Sequence, residues 1–358
     1  MKVGIYTITE GENYGNRLQN YALQSILEKK GYRVRTLLDE YYKNDWRFKL
    51  KNSIKNITGI KKNRFTKRCE KFNRFNRKYI KFEREKINNN RRFKHVNKYD
   101  CFVAGSDQIW NPNFEITTSA SFLKFVNNKK KIAVAASFGV SKIENNHIRK
   151  IYKGYLEEFS AISVREESGA KIVEDLIGKE VPVLIDPTLM LSREEWDGIS
   201  RKPKKVPNGK YVFCYFLGEY EERLVNEINN YAKERNLEIV FLENEWFQLG
   251  VSSDEEFDID PSEFVWLLKH SEKVITDSFH AAVFSVIYQR EFITITRKSE
   301  AGDMSSRMLT LSKEFNIKNL ITYDYDFAQT AKINNEYFNE ILKKKQCEFS
   351  DYLEKNLG

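Results

Sequence analysis

The stretch Lys273–Ile295, KVITDSFHAAVFSVIYQREFITI, sets a polar corner, Thr276-Asp277-Ser278, between two apolar, β-rich runs separated by a helix-length segment. Strand, helix and strand in that order read as a parallel βαβ unit, because parallel neighbours need a long crossover and the crossover is usually a helix. The helix is expected from about Phe279 to Tyr288, with Thr276, Asp277 and Ser278 capping it and His280 in its first turn.

The same alternation extends in both directions. Upstream, KVGIYTI, YRVRTLL, CFVAGS, KIAVAASF, AISVRE and VPVLIDP are strand candidates, with helices such as Arg17–Lys30 between them. A polar, basic stretch with two prolines and a glycine, SRKPKKVPNGK (Ser200–Lys210), then reads as a domain boundary. Beyond it YVFCYFLG, LEIVFLE, KVITDS, FITITR and NLITY restart the pattern. The expected architecture is α/β: two Rossmann-like lobes facing a central cleft, residues 1–199 and 200–358, with the C-terminal helix packing back on the first lobe. Ligands of such folds sit beyond the carboxyl ends of strands, so the strand-to-helix turns are where chemistry is sought.

At 358 residues the chain is too long for one small core, and its apolar content is ample for burial. No apolar run approaches the roughly 20 residues needed to cross a bilayer. The N-terminal KVGIYTI runs straight into polar TEGENYGN, unlike a secretory leader, so a soluble cytoplasmic protein is expected. Cys69, Cys101, Cys214 and Cys347 are scattered without a CxxC pair, which argues against zinc and against a disulfide framework. No metal site is expected.

The net charge of +9 is concentrated. Residues 43–98 hold 21 Lys and Arg against 4 Asp and Glu, so the rest of the chain is net acidic. This basic segment, expected to be a helical insertion, interleaves aromatics with cations at helical spacing. It reads as a solvated helix with aromatics turned inward, as a peripheral surface for anionic membrane lipid at the inner face of the membrane, or as a nucleic-acid site. No recognised nucleic-acid motif accompanies the charge, so nucleic acid is not expected.

Five turns carry the candidate chemistry. NYGNRLQNYALQ places Asn13, Gly15, Asn16, Arg17 and Gln19 at a helix entry, either as capping or as an acceptor site. FVAGSDQIWNP places Ser106, Asp107 and Trp110 after a strand. Asp107 can act as a base or hold a sugar hydroxyl, and Trp110 can stack on a sugar face; an Asx turn with Trp110 in the core is the alternative. Arg165 in AISVREESGA follows a strand and can fork onto a carboxylate or phosphate, or pair with Glu166. Thr276, Ser278 and His280 offer a helix N-terminus for phosphate with an imidazole beside it, or a hydrogen-bonded structural histidine. Arg307, after Ser305-Ser306, opens a late helix and can close over the same anion or form a surface ion pair. His95, His147 and His270 are given no role.

Taken in order, NYGNRLQNYALQ, VAGSDQIWNP, ISVREESGAKIVEDL, LIDPTLML and VITDSFHAAVFSVIYQREFI resemble the polysaccharide pyruvyl transferase family over roughly residues 1–320. The resemblance implies a GT-B-like fold. It also implies transfer of pyruvate from phosphoenolpyruvate, with no further cofactor, to a sugar diol of a polysaccharide or lipid-linked precursor as a cyclic ketal. It maps the family's cleft arginine onto Arg165 and its histidine onto His280. Many members carry Arg two residues before that histidine; here the position is Ser278. In this reading Ser278, Thr276, Arg307 and Arg165 hold the donor, and His280 and Asp107 are acid and base. A nucleotide-sugar GT-B glycosyltransferase and a non-catalytic anion- or RNA-binding protein are the rival readings.

Overall fold

The computed structural model describes residues 1–9, 11–40, 64–88, 92–218, 220–242, 259–296 and 306–358. The chain divides into two units, Met1–Pro187 with Glu348–Gly358, and Thr188–Cys347.

The first unit holds β1 (Lys2–Tyr6), α1 (Tyr14–Lys29), β2 (Arg33–Asp39), α2 (Arg64–Tyr79), β3 (Phe82–Ile87), β4 (Cys101–Ala104), β5 (Lys130–Ala136), α3 (Asn146–Leu156), β6 (Ala161–Val164) and α4 (Glu167–Ile177). Its six strands are ordered β3-β2-β1-β4-β5-β6, every pair parallel. That is a doubly wound order, reversing between β1 and β4, and the loops after those two strands therefore diverge to leave room for a ligand. The central strands read as continuous apolar runs because helices cover both faces of a parallel sheet; Val3, Ile5, Phe102, Val103 and Ile132 have no exposed surface.

The basic segment is part of this sheet. After β2 the chain passes through α2 to β3, which pairs in parallel with β2, so α2 and β3 belong to a crossover and not to a helical insertion. Strand β3, FEREKI, carries charges at four of its six positions. It occupies the sheet edge, where charged side chains block further pairing, and for the same reason its sequence lacks a strand pattern. Phe72 and Phe75 of α2 are buried, with Phe72 packed 4.9 Å from the Tyr14 ring, while Arg74, Arg77 and Lys78 are exposed. The described part of the segment thus turns Phe72 and Phe75 inward and Arg74, Arg77 and Lys78 to solvent, while Arg68 is buried; residues 43–63 and 89–91 lie outside the described residues.

One carboxylate on the edge strand is strongly stabilised. Burial alone would raise the pKa of Glu83, but the Tyr99 hydroxyl (2.5 Å), the Glu85 and Arg84 amides and Lys2 outweigh it and hold it near 2. A carboxyl whose folded value is depressed contributes stability above its ordinary value of 4.5, and that contribution is lost as pH falls toward about 2. We expect Glu83→Gln to flatten the fall in melting temperature across that acid range, and an unchanged acid slope would show the group to be silent.

The second unit holds α5 (Arg193–Asp197), β7 (Tyr211–Tyr215), α6 (Glu222–Glu234), β8 (Glu238–Leu242), α7 (Pro261–His270), β9 (Lys273–Thr276), α8 (Phe279–Ile287), β10 (Glu291–Ile295), α9 (Ser306–Glu314) and β11 (Ile321–Thr322). The order β11-β10-β9-β7-β8, again parallel throughout, reverses between β7 and β9. The opening stretch of sequence is thus β9-α8-β10. Helix α8 has an apolar sequence all round and every residue of it is buried. By contrast α6 buries only one stripe, Leu224, Val225, Ile228, Tyr231 and Ala232. The last helix, α10 (Asn335–Leu357), begins in the second unit and ends in the first. There Tyr352 donates its hydroxyl to the Ala133 carbonyl (2.8 Å) and Glu354 pairs with Lys30.

Two expectations are amended. VPVLIDP contributes a bridge between Val164 and Val183 and then a short 3-10 turn, Pro187–Met190, but no strand. The second unit begins at Thr188, ahead of the Ser200–Lys210 stretch. Among the described residues no helix is long and apolar enough to cross a membrane.

Candidate active site

In the second unit the switch point between β7 and β9 is organised by Asp277. Its two carboxylate oxygens accept the amides of Leu217 and Gly218, both at 2.7 Å, which fixes the loop leaving β7. Asp277 therefore does not cap α8. Ser278 is the N-cap, its hydroxyl accepting the Ala281 amide at 3.4 Å, while the Ser278 amide donates to Thr276 Oγ1 at 3.0 Å. Thr276 in turn donates its hydroxyl to the Tyr215 carbonyl across the β7–β9 pair. Each polar residue of the corner has a separate task, and together they place the first turn of α8 at the tip of the sheet.

His280 lies in that turn, 4% exposed, with its ring edge-on to Phe279 (5.4 Å, 80°). The Arg307 guanidinium, on α9, sits 5.5 Å from the centroid of the same Phe279 ring. Phe279 thus joins the two, and Thr276, Ser278, His280 and Arg307 are gathered in one unit. Ser305, the other expected cap of the Arg307 helix, lies outside the described residues.

The first unit gathers a second polar cluster, at the tips of β4, β5 and β6. Gly105 has φ +123, and a Cβ there would lie 2.3 Å from the Val134 carbonyl, so only glycine lets the chain turn beside β5. Asp107 follows with φ 75, and its carbonyl accepts the Ser137 amide (2.9 Å). Arg165, with 1% of its side chain exposed, is bound by two carboxylates, Asp186 through a short contact and Asp107 Oδ1 at 3.3 Å. Burial alone would lower the guanidinium pKa; Asp186, Asp107 and Glu166 outweigh it and raise it. Glu166 is drawn elsewhere, its Oε1 accepting from the Ser137 hydroxyl and the Phe138 and Gly139 amides at 2.7–3.1 Å.

These positions correct several expectations. Trp110 is not a sugar platform: it is fully buried, stacked on Phe122 (5.4 Å, 3°), with its indole N–H on the Ser121 carbonyl. Ser106 and Gln19 have no exposed surface, and both bond inward; Ser106 donates to Ala135, and Gln19 to Thr7 Oγ1 and the Asn16 carbonyl. Gly15 lies inside α1 and not in a loop, because the helix starts at Tyr14, three residues before the expected Arg17, capped by Asn13 on the Asn16 amide. Arg17 donates to the Gly11 carbonyl (2.7 Å) and flanks the Phe72 ring. The polar density of α1 therefore serves to seat the helix on β1 and α2.

The family model of the polysaccharide pyruvyl transferases matches residues 13–299 of the chain. The chain belongs to that family. No curated protein matches it. Among solved structures it is similar to a UDP-N-acetylglucosamine 2-epimerase of Listeria monocytogenes at 12% identity and a TM-score of 0.50, covering 98% of this chain and 90% of that one. A UDP-GlcNAc 2-epimerase of Neisseria meningitidis gives 13% identity and a TM-score of 0.48, covering 99% and 100%. The first likeness supports the GT-B-like, two-sheet fold and nothing about substrate.

Sequence reasoning missed three participants in this pyruvyl transferase family chain. Asp277 was read as a cap, Asp186 only as part of the VPVLIDP strand candidate, and Glu166 only as a neighbour for Arg165. Each is an acid that closes an apolar, strand-like run in the sequence, in VITD, VLID and ISVRE. That is the one local signal for a carboxylate that grips loop amides or a buried cation.

Proposed function

We propose that this chain transfers pyruvate from phosphoenolpyruvate to two hydroxyls of a sugar in a polysaccharide or glycolipid precursor, forming a cyclic ketal. The observation that carries the reading is the Ser278-capped start of α8, with His280 in its first turn and Arg307 against Phe279. A helix N-terminus and a buried guanidinium suit a phosphate, because buried anions require charge-assisted donors. Arg307 stands in for the arginine that many family members carry where this chain has Ser278.

In this reading His280 gives a proton to the methylene carbon of phosphoenolpyruvate, and the adjacent carbon becomes electrophilic. An acceptor hydroxyl oxygen bonds to that carbon, and its proton passes to solvent. The carbon–oxygen bond to phosphate then breaks, the electron pair leaving with inorganic phosphate. The second hydroxyl closes the ketal and its proton goes to the departing phosphate. The helix dipole and Arg307 stabilise the charge that gathers on the leaving group.

The experiment is ligand protection against thermal unfolding. Phosphoenolpyruvate at a hundred times its Kd adds about 2.7 kcal/mol to folded-state stability, a shift of several degrees. UDP and GDP compounds are expected to give none. The reverse pattern would favour a nucleotide-sugar enzyme, and Arg307→Gln is expected to remove most of the phosphoenolpyruvate shift.

A further inference from the structure

Helix α8 carries two phenylalanines that keep different company. Phe284 packs against Trp196 of α5 (4.7 Å, 72°), an aromatic pair of the core. Phe279, the first residue of the helix, lies instead against two polar side chains. The Arg307 guanidinium sits over its ring at 5.5 Å, and the His280 ring meets it edge-on at 5.4 Å. All three side chains are buried. A phenylalanine serving apolar burial alone would not take a cation for a neighbour, because a buried charge is costly unless something stabilises it.

A guanidinium can be fixed in two ways. A carboxylate does it by filling the planar fork and cancelling the charge. An aromatic ring does it through its negative face, a contact that uses none of the five N–H donors and leaves the positive charge in place. The second way suits a cation whose task is to bind an anion. It also lowers the entropy lost on binding, since a long arginine side chain restrained beforehand has less rotamer freedom left to lose.

We propose that Phe279 is a positioning residue for the donor: its ring holds Arg307 beside the first turn of α8, with charge and fork kept for the phosphate of phosphoenolpyruvate. This rests on the pyruvyl-transfer reading and deepens it by naming a residue that sets donor affinity through Arg307. Every part of the device lies in the second unit. The Ser278 cap and the grip of Asp277 on the Leu217 and Gly218 amides fix the backbone from which the ring projects.

The test is calorimetric titration of phosphoenolpyruvate onto the full chain and its variants, with a melting curve for each. Phe279→Leu keeps an apolar side chain and removes the ring. It is expected to weaken binding about tenfold while the chain still unfolds cooperatively. In the Arg307→Gln background the same substitution is expected to cost about twofold or less, because a residue that acts through a partner loses its effect with that partner. Mono-, di- and trifluorinated phenylalanine in place of Phe279 keep the shape of the ring and drain its face of negative charge step by step. Kd is expected to rise with each fluorine. A packing role would leave it level, so this series decides the case should Phe279→Leu not fold.

Equal losses with and without Arg307, a flat fluorine series, or a leucine variant that binds phosphoenolpyruvate as the parent does would each overturn the proposal. The same titrations are run with inorganic phosphate. A parent that binds phosphate and not phosphoenolpyruvate removes the pyruvyl-transfer reading, and the variants then decide the Phe279–Arg307 coupling with phosphate. A parent that binds neither overturns both.

Discussion

Replacing His280 by alanine is expected to lower turnover about a hundredfold or more and to leave the fold in place. The size follows from the proposed role, since a positioned general acid contributes typically 10²–10⁴-fold. The fold survives because the cap of α8 is Ser278, and the tertiary grip of the corner is made by Thr276 and Asp277. The readout is phosphate release from phosphoenolpyruvate with a panel of methyl hexopyranosides, alongside a melting curve. His280→Gln separates proton transfer from packing, since it keeps a polar side chain of similar reach without a titratable group. Turnover near the parent's in either variant would remove His280 from the chemistry.

The second large effect is on stability. Asp277→Ala removes the acceptor for two loop amides, each held at 2.7 Å by a charged oxygen. Hydrogen bonds to charged groups contribute about 1.5–3 kcal/mol each, so a loss of roughly 3–6 kcal/mol is expected. Asp277→Asn keeps one acceptor oxygen and should lose about half as much. Denaturant unfolding followed by a signal from the second unit measures both. A loss below about 1 kcal/mol for the alanine variant would mean that solvent satisfies the two amides once the carboxylate is gone. The same substitution is expected to weaken phosphoenolpyruvate binding, because Asp277 anchors the loop after β7 at the start of α8.

The parallel sheets were legible because their central strands are buried on both faces and so read as unbroken apolar runs; YVFCY, KVIT and CFVA are examples. Strand β3 was hidden for the converse reason. An edge strand with charges on both faces has no period to detect, and its neighbour α2 drew attention by its cations. VPVLIDP erred in the other direction, an apolar run that forms one bridge and then turns at Pro187.

At the candidate site the helix at His280 could be foreseen from its cap and its apolar length, both local properties. The destination of each polar side chain could not, because it depends on contacts far apart in sequence. Arg165 meets Asp107 and Asp186, separated from it by 58 and 21 positions, and Asp277 meets amides 59 and 60 positions earlier. Trp110 shows the same limit. An aromatic residue after a strand tip suits a sugar face or a core equally well in sequence, and only Phe122, Phe138 and Phe159 around it decide for the core.

The account rests on one small dianion being held at the start of α8. Calorimetric titration of phosphoenolpyruvate onto the parent chain, Arg307→Gln and His280→Gln tests this most directly. The expected result is saturable binding by the parent, weakened at least tenfold by the loss of Arg307 and only a few-fold by the loss of His280. Absence of binding to the parent, or equal affinity in Arg307→Gln, would contradict it.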